Sequence, residues 1–248
     1  EVYLGAASTL ELPPFKSLQI QKLVAEDGAR IRLAHQSSGE GGGDGANARI
    51  FIQEVSGHIL IEARGGDGAN GKDGRDGRQG ADGAAGRRAR TLFFGLVYLG
   101  DGENGKPGEA GEDGENGGDG ANGGNGGKIT VYYENKIHFA EIVVNVDGGL
   151  GGKAGLPGLG GLGGNGGVGG RGIKRGLQGS MGASGKAGEP GRPGHPGNPG
   201  EAYVYQLESE LFSCLVRLDA RLQAEQLHDD DYLECRNFRS DVPGSENP

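Results

Sequence analysis

The chain has 248 residues, of which 56 are glycine and only 33 % are hydrophobic, and its formal net charge is −9. So much glycine leaves few side chains for an apolar core, and the acidic balance argues against a protein that binds nucleic acid through its phosphates. No apolar stretch in the sequence approaches the length of about 18 residues that a membrane-spanning helix needs.

Residues 1–64 are predicted to form a β-rich head. Four short segments alternate apolar and polar side chains, as half-buried strands do. They are residues 17–21, 29–33, 49–52 and 58–61. Turn signals at Glu26-Asp27-Gly28 and Ser56-Gly57 join them into two pairs. The same spacing also suits the rungs of a β-solenoid.

Four runs with glycine at every third residue organise the rest of the chain. They are Gly65 to Gly86 (run one), Gly102 to Gly126 (run two), Gly149 to Gly170 (run three) and Gly176 to Gly200 (run four). Their lengths are 22, 25, 22 and 25 residues, and disordered linkers have no reason to match in this way. A stub of the same period lies between the two strand pairs, at Gly39, Gly42 and Gly45.

A period of three fits the polyproline-II helix, which has three residues per turn and no internal hydrogen bonds. One such rod is not stable alone, because its N–H and C=O groups need partners and glycine loses the most entropy on ordering. Two packings supply partners: an intramolecular bundle of polyglycine-II rods that touch along bare glycine stripes, and a collagen triple helix of three chains. Disorder stays open, since glycine-rich composition permits it.

Several features favour the intramolecular bundle. Run three has two bare glycine stripes in most of its length, and its remaining stripe is apolar, at Leu150, Leu156, Leu159, Leu162 and Val168. Run one has no proline and run two has only Pro107, whereas a triple helix prefers many. The short link 171–175 indicates a chain reversal. The end of run four favours collagen, with prolines at Pro190, Pro193, Pro196 and Pro199.

Repeats such as residues 117–126, Gly-Gly-Asp-Gly-Ala-Asn-Gly-Gly-Asn-Gly, resemble those of the polyglycine-II bundle proteins. These are glycine-rich phage tail-fibre adhesin tips, the snow flea antifreeze protein and the glycine-rich domain of Obg-type GTPases. The resemblance covers residues 65–200, and bacterial collagen-like proteins are a second resemblance. It implies a method of construction and no particular function, because these proteins do unrelated jobs.

The predicted fold class is therefore mostly β and polyproline-II: an antiparallel bundle of polyglycine-II helices with a β-rich head and one C-terminal α-helix. Strand-like segments interrupt the runs at 87–101 and 127–148, and residues 202–205 add a short strand. The helix is predicted from leucines spaced by four, four, three and four residues. They are Leu207, Leu211, Leu215, Leu218 and Leu222.

The predicted domains are a head, 1–64, a glycine-rich bundle, 65–200, that carries the inserted strands 87–101 and 127–148, and a C-terminal helical tail, 201–248. The leucine face of the helix is expected to pack on the head, and a seam for a partner helix is the alternative.

If successive runs alternate in direction, the segments 87–101 and 171–175 meet at one end of the bundle. Both are basic in an acidic protein, and the first also holds an apolar stretch from Leu92 to Leu99 that would mark a contact site if exposed. The candidate contact patch is Arg87, Arg88, Arg90, Phe93, Phe94, Leu96, Tyr98, Arg171, Lys174 and Arg175. Alternatively, the apolar stretch folds against the leucine stripe of run three.

No constellation of residues predicts catalysis, a cofactor or a metal. Glycine-rich strings that look like dinucleotide motifs are by-products of the period, and no Gly-Lys pair is followed by the Ser or Thr of a phosphate loop. The five histidines show no ligand spacing, and the Gly-Asp-Gly pieces repeat every three residues rather than nine. We expect a protein that is not an enzyme.

Cys214 and Cys235 are predicted to form one disulfide in an exported protein, with two buried thiols as the alternative. Export is the interpretation of a chain that opens at Glu1 without methionine. We expect an extracellular or cell-surface structural protein that assembles with itself into a filament, sheath or surface layer. The alternative is a receptor-binding adhesin, with an ice-binding protein or a collagen-like trimer as further alternatives; no nucleic acid and no membrane span are expected.

Overall fold

A computed structural model describes residues 1–35, 41–92, 97–224 and 235. Its elements are β1 (Val2–Leu4), β2 (Thr9–Leu12), β3 (Ser17–Leu33), β4 (Ala48–Glu62), β5 (Thr91–Leu92), β6 (Val97–Tyr98), β7 (Lys128–Asn145), β8 (Glu201–Gln206) and α1 (Ser209–Gln223). The chain divides into two compact units, each built from separate segments. We call them the sheet unit (1–68, 122–151 and 195–248) and the glycine unit (69–121 and 152–194).

The sheet unit is organised by one sheet of six strands. The strands follow the order β1-β3-β4-β7-β8, and β2 also pairs with β3. Every pairing is parallel. Consecutive long strands lie in register, so that Ile50 of β4 faces Leu18 of β3 and Val131 of β7.

Each long strand changes direction near its middle and returns. A Cβ placed on Gly45, just before β4, would collide with the carbonyl oxygen of Ala63, just after it, so the two ends of β4 lie side by side. The bend falls at Gly57, whose φ of 80° suits glycine. Gly28 of β3, with a φ of 77°, takes the equivalent place, and the pairing registers shift near both bends.

The two limbs of each bent strand enclose an apolar core. The core side chains with almost no exposure are Leu23, Ile31, Ile50, Ile52, Val55, Ile59, Ile61, Ile129 and Val131. Branched aliphatic side chains pack well on a pleated surface, which is why the alternating segments of the sequence form these strands. Burial of this cluster supplies the main driving force for folding of the sheet unit.

The parallel sheet corrects the predicted fold class. In the described residues, the main regular secondary structure is a parallel, α/β-like sheet with one short helix, and not an antiparallel bundle of polyglycine-II helices with a β-rich head. Gly28 and Gly57 were expected to close two pairs of strands, but the limbs on either side of each glycine hydrogen-bond to the equivalent limbs of the next strand. The alternative in which these segments are the rungs of a β-solenoid is compatible with this parallel pairing.

In the glycine unit the runs have neither helix nor strand, and they bond laterally through their backbones. Run one is parallel to run three, with Gly77 N–H donating to the Leu159 carbonyl at 2.7 Å. Run two is antiparallel to both, and run four is parallel to run two and antiparallel to run three. Because runs two and three both contact three neighbours, the four runs form two triangles that share this pair.

The helix α1 packs on the outer face of the sheet within the sheet unit. The Phe212 ring meets the Phe51 ring edge-on, with 6.2 Å between their centroids. The buried positions of the helix are Phe212, Cys214 and Asp219, whereas Leu222 of the predicted leucine face is 42 % exposed. The sulfurs of Cys214 and Cys235 lie at bonding distance as a disulfide, with 5.9 Å between the Cα atoms.

Candidate functional site: two basic loops

The ends of the runs hold two loops of the glycine unit side by side. Two backbone hydrogen bonds join the segments 87–101 and 171–175: Ala89 N–H to the Arg171 carbonyl at 2.8 Å, and Ile173 N–H to the Gly100 carbonyl at 2.9 Å. Next to them, Gly102 N–H at the start of run two donates to the Lys174 carbonyl at 2.9 Å. The Asp101 carboxylate also accepts a hydrogen bond from Lys174 N–H at 3.0 Å. The two loops therefore form one surface, which we call the basic loop pair.

The first loop contains a short hairpin. Thr91 of β5 pairs with Tyr98 of β6 in the antiparallel sense, and Leu99 N–H donates to the Arg90 carbonyl. Three candidate contact residues, Phe93, Phe94 and Leu96, lie outside the described residues. The apolar side chains that are described at this surface are largely exposed: Leu92 by 49 %, Val97 by 48 %, Leu99 by 57 % and Ile173 by 70 %.

The same two loops carry six cationic side chains. Arg87, Arg88, Arg90, Arg171, Lys174 and Arg175 are all exposed. None of them forms an ion pair within the described part of the chain. The structure thus brings together the charges that the sequence placed 80 residues apart, and leaves them without a carboxylate partner.

The cations along the runs have a different environment. Arg75 and Arg78 of run one face Glu115 and Glu112 of run two, with nitrogen–oxygen distances of 3.9 and 4.0 Å. These exposed pairs contribute little stability, but they show that the runs match opposite charges in register. The basic loop pair differs from the runs because it gathers six cations on two hydrogen-bonded loops.

The described parts of the hairpin do not cover the leucine stripe of run three. Leu156, Leu159 and Leu162 are 66–67 % exposed. The alternative in which the apolar stretch from Leu92 to Leu99 folds onto this stripe is therefore not seen for the residues that the structure describes. The stripe forms a row of exposed apolar side chains, three residues apart.

A feature that the sequence argument missed explains the many aspartates and asparagines of runs one and two. Their side-chain oxygens accept hydrogen bonds from backbone N–H groups of runs three and four, at 2.6–2.8 Å within the glycine unit. The acceptors there are Asn70, Asp73, Asp76, Asp82, Asn104, Asp113, Asn116 and Asp119. We call these contacts the Asx ladders.

The signal for the Asx ladders was present in the sequence. In runs one and two, Asp or Asn recurs in the third position of the glycine triplets, while runs three and four show no such recurrence. The offset is constant, at 83 residues from run one to run three and 73 from run two to run four. Short side chains with one carbonyl-type oxygen are suited to bonding a neighbouring backbone.

A second surface lies in the sheet unit, between α1 and the strands. It is an open groove of about 670 Å³ with Phe51, Phe212 and Val216 among its apolar lining residues and Gln19, Gln53 and Arg217 among its polar ones. Beside it, the buried Asp219 joins the helix to the sheet.

Three groups approach the Asp219 carboxylate. One oxygen lies 2.8 Å from the Arg49 guanidinium, although the angle there does not make a hydrogen bond. The other oxygen accepts hydrogen bonds from Ser17 and Gln223. We interpret these contacts as an anchor for α1, because burial without a partner strongly disfavours a carboxylate.

In the described residues, no group of three or more His, Cys, Asp or Glu side chains is arranged to hold a metal ion. No helix in the same residues combines the length and apolar character required to cross a membrane. Comparisons with protein families, with curated proteins and with solved structures found no match.

Proposed function

We propose that this chain is an extracellular structural protein that assembles with itself into a filament, sheath or surface layer. The observation that carries the proposal is the open edge of the sheet. All six residues of β8, the last strand, are exposed, and among the described strands β8 pairs only with β7. An unpaired strand edge is a template for a strand of another chain.

The hydrogen bonds of β8 define which groups are available at this edge. Glu201 N–H donates to Gly127 and Leu207 N–H donates to Tyr133, so the odd-numbered residues of β8 face β7. The N–H groups of the even-numbered residues, Ala202, Val204 and Gln206, consequently point away from the sheet, since strand backbone groups alternate in direction.

An aromatic row leads to the same edge. The rings of Phe51, Tyr132 and Tyr205 come from β4, β7 and β8 and stack in sequence, with centroid distances of 5.1 and 5.8 Å. Burial raises the pKa of Tyr132, with a smaller contribution from nearby Tyr205. The row ends at Tyr205, which is 46 % exposed, and an added strand would continue it.

The glycine unit offers a further surface for assembly. The exposed row of Leu156, Leu159 and Leu162 would bury apolar area against a second copy. Its backbone is held by lateral hydrogen bonds, so little conformational entropy remains to be lost when it associates.

The test is a substitution that blocks the strand edge without disturbing the sheet. Val204→Pro removes one outward N–H group, and proline is tolerated on edge strands. Val204→Thr is the matched control, because it keeps that N–H group and suits a strand. We expect wild type and Val204→Thr to form concentration-dependent assemblies, measured by sedimentation velocity and electron microscopy, and Val204→Pro to stay monomeric. A wild-type protein that remains monomeric at every concentration would refute the proposal.

The second candidate is a receptor-binding adhesin, and the basic loop pair favours it. An adhesin requires that Tyr98→Ser together with Arg175→Gln abolishes attachment to a target surface while assembly continues. If those changes leave attachment intact and Val204→Pro abolishes it, attachment depends on assembly and the adhesin interpretation is wrong.

A further inference from the structure

We propose that the basic loop pair is a docking site for the surface of an anionic lipid bilayer. This goes beyond self-assembly, does not depend on it, and involves no spanning segment. The occupant is a lipid headgroup layer, to which six cations and four exposed apolar side chains of one surface are complementary.

Charge distinguishes the two loops from the rest of the protein. The protein carries a net charge of −9, and Arg75 and Arg78 of run one face glutamates of run two, at 3.9 and 4.0 Å. At the basic loop pair the six cations have no such partner in the described chain, although backbone hydrogen bonds hold the two loops together. Six like charges repel one another, and an external anionic partner would relieve that repulsion.

The basic loop pair also exposes apolar side chains close in sequence to its cations. Ile173, at 70 % exposure, is followed directly by Lys174 and Arg175, and Leu92 lies two residues from Arg90. Arginine and lysine side chains next to exposed aliphatic groups match a bilayer interface, where headgroup phosphates accept the charges and the outer acyl region accepts the apolar groups.

A soluble polyanion fits this surface less well. A nucleic acid or an acidic polysaccharide would satisfy the cations and leave Val97, Leu99 and Ile173 in water.

The experiment is vesicle co-sedimentation of the full-length, disulfide-intact protein. The vesicles contain phosphatidylcholine alone or with about a third of phosphatidylserine. We expect binding to the anionic vesicles only, and weaker binding as sodium chloride rises from about 0.05 to about 0.3 M.

The decisive variant is Arg88→Gln with Arg175→Gln. Each cation near an anionic surface contributes about 1 kcal/mol, so two should weaken binding about 30-fold. The matched control is Arg75→Gln with Arg78→Gln, which changes the net charge by the same amount on exposed residues that face glutamates, and it should change binding less than about threefold. Both pairs are exposed, and unchanged amide exchange would verify that the fold is kept.

A third variant separates lipid from other polyanions. Ile173→Ser should weaken vesicle binding and leave binding to a soluble sulfated polysaccharide or to RNA unchanged. The proposal is overturned if the wild-type protein does not bind anionic vesicles or binds both vesicle types equally. It is also overturned if the two double variants lose the same amount of vesicle binding, or if Ile173→Ser binds vesicles as strongly as the wild type. Binding to a soluble polyanion without vesicle binding would also overturn it.

Discussion

The sheet unit and the glycine unit reach order by opposite means. In the sheet unit, every buried strand contributes branched side chains such as Ile50 and Ile61 to a common core. In the glycine unit, none of the described side chains is a buried hydrophobic one, and the runs approach each other because side chains are missing. The first unit is stabilised mainly by apolar burial, and the second by backbone hydrogen bonds between touching runs.

This contrast implies opposite responses to mutation. Removing atoms should damage the sheet unit, because the resulting cavity loses transfer free energy and packing contacts. Adding atoms should damage the glycine unit, because a Cβ on most run glycines would meet a backbone atom of the neighbouring run. Four predictions test this difference.

The largest expected effect is in the sheet unit. Ile61→Ala should lower its free energy of unfolding by about 2–5 kcal/mol, since Ile61 is fully buried between the limbs of the strands. Val143→Ala on β7, where the side chain is 47 % exposed, is the control and should change it far less. Urea denaturation followed by circular dichroism gives the values, and equal losses in both variants would refute a core at this position.

Adding a methyl group to a glycine tests the glycine unit. A Cβ on Gly158 would collide with the carbonyl oxygen of Arg75, so Gly158→Ala should force runs one and three apart. We expect the free energy of unfolding of the glycine unit to fall by about 2–4 kcal/mol, because overpacking costs about 1–3 kcal/mol and each disrupted hydrogen bond adds about 1 kcal/mol. Amide exchange at Gly74 and Gly77, which donate to run three, reports the opening.

The control in the same run removes atoms instead. Leu159→Ala shortens a side chain that is 67 % exposed, and the glycine unit should keep its stability. If Leu159→Ala is as damaging as Gly158→Ala, the leucine row packs against something and the contrast between the two units does not hold.

Local patterns in the sequence predicted the elements better than their pairing. Alternation of apolar residues located the limbs of β3 and β4, strand-like composition located β7, and leucine spacing located α1, because these signals are local in the sequence. The partner of each limb depends on what happens at Gly28 and Gly57, and a turn signal does not distinguish a closed pair from a bend between rungs. The parallel sheet was therefore missed.

At the candidate site, too, local composition was predicted from the sequence and side-chain contacts between distant segments were not. The basic composition of the loops 87–101 and 171–175 was visible in the sequence, and the expectation that they are neighbours followed from runs that alternate in direction. The Asx ladders were not predicted, because the acceptor and donor lie 83 or 73 residues apart and only the lateral packing relates them. Asp219 was also missed, since a single acid in a helix gives no sign of burial.

A third prediction concerns the Asx ladders, the side-chain contacts that recur along the glycine unit. Asp76 accepts a hydrogen bond from Leu159 N–H at 2.7 Å, so Asp76→Ala should lower stability by about 0.5–1.5 kcal/mol and speed exchange of that amide. Asp76→Asn keeps the oxygen and should behave as wild type. Ala85→Ser, at a triplet position without a ladder contact, is a further control, and faster Leu159 exchange in Asp76→Asn would show that charge rather than hydrogen bonding matters.

The smallest effect expected is a pH response confined to the sheet unit. Lys128 and Glu201 lie 2.6 Å apart where β7 meets β8, and the hydrogen bond and positive charge of Lys128 lower the pKa of Glu201 below its ordinary value. A carboxylate with a lowered pKa stabilises the folded state above its unfolded pKa, and this contribution is lost as the pH falls through the lowered folded value. The free energy of opening β8, from amide exchange corrected for intrinsic rates, should therefore decline slightly on acidification from about pH 7 to about pH 3.

Glu201→Gln should remove this decline. Glu112→Gln is the control and should not alter it, because its wild-type partner Arg78 lies 4.0 Å away in the glycine unit. A decline that persists in Glu201→Gln would assign the acid sensitivity of β8 to another carboxylate.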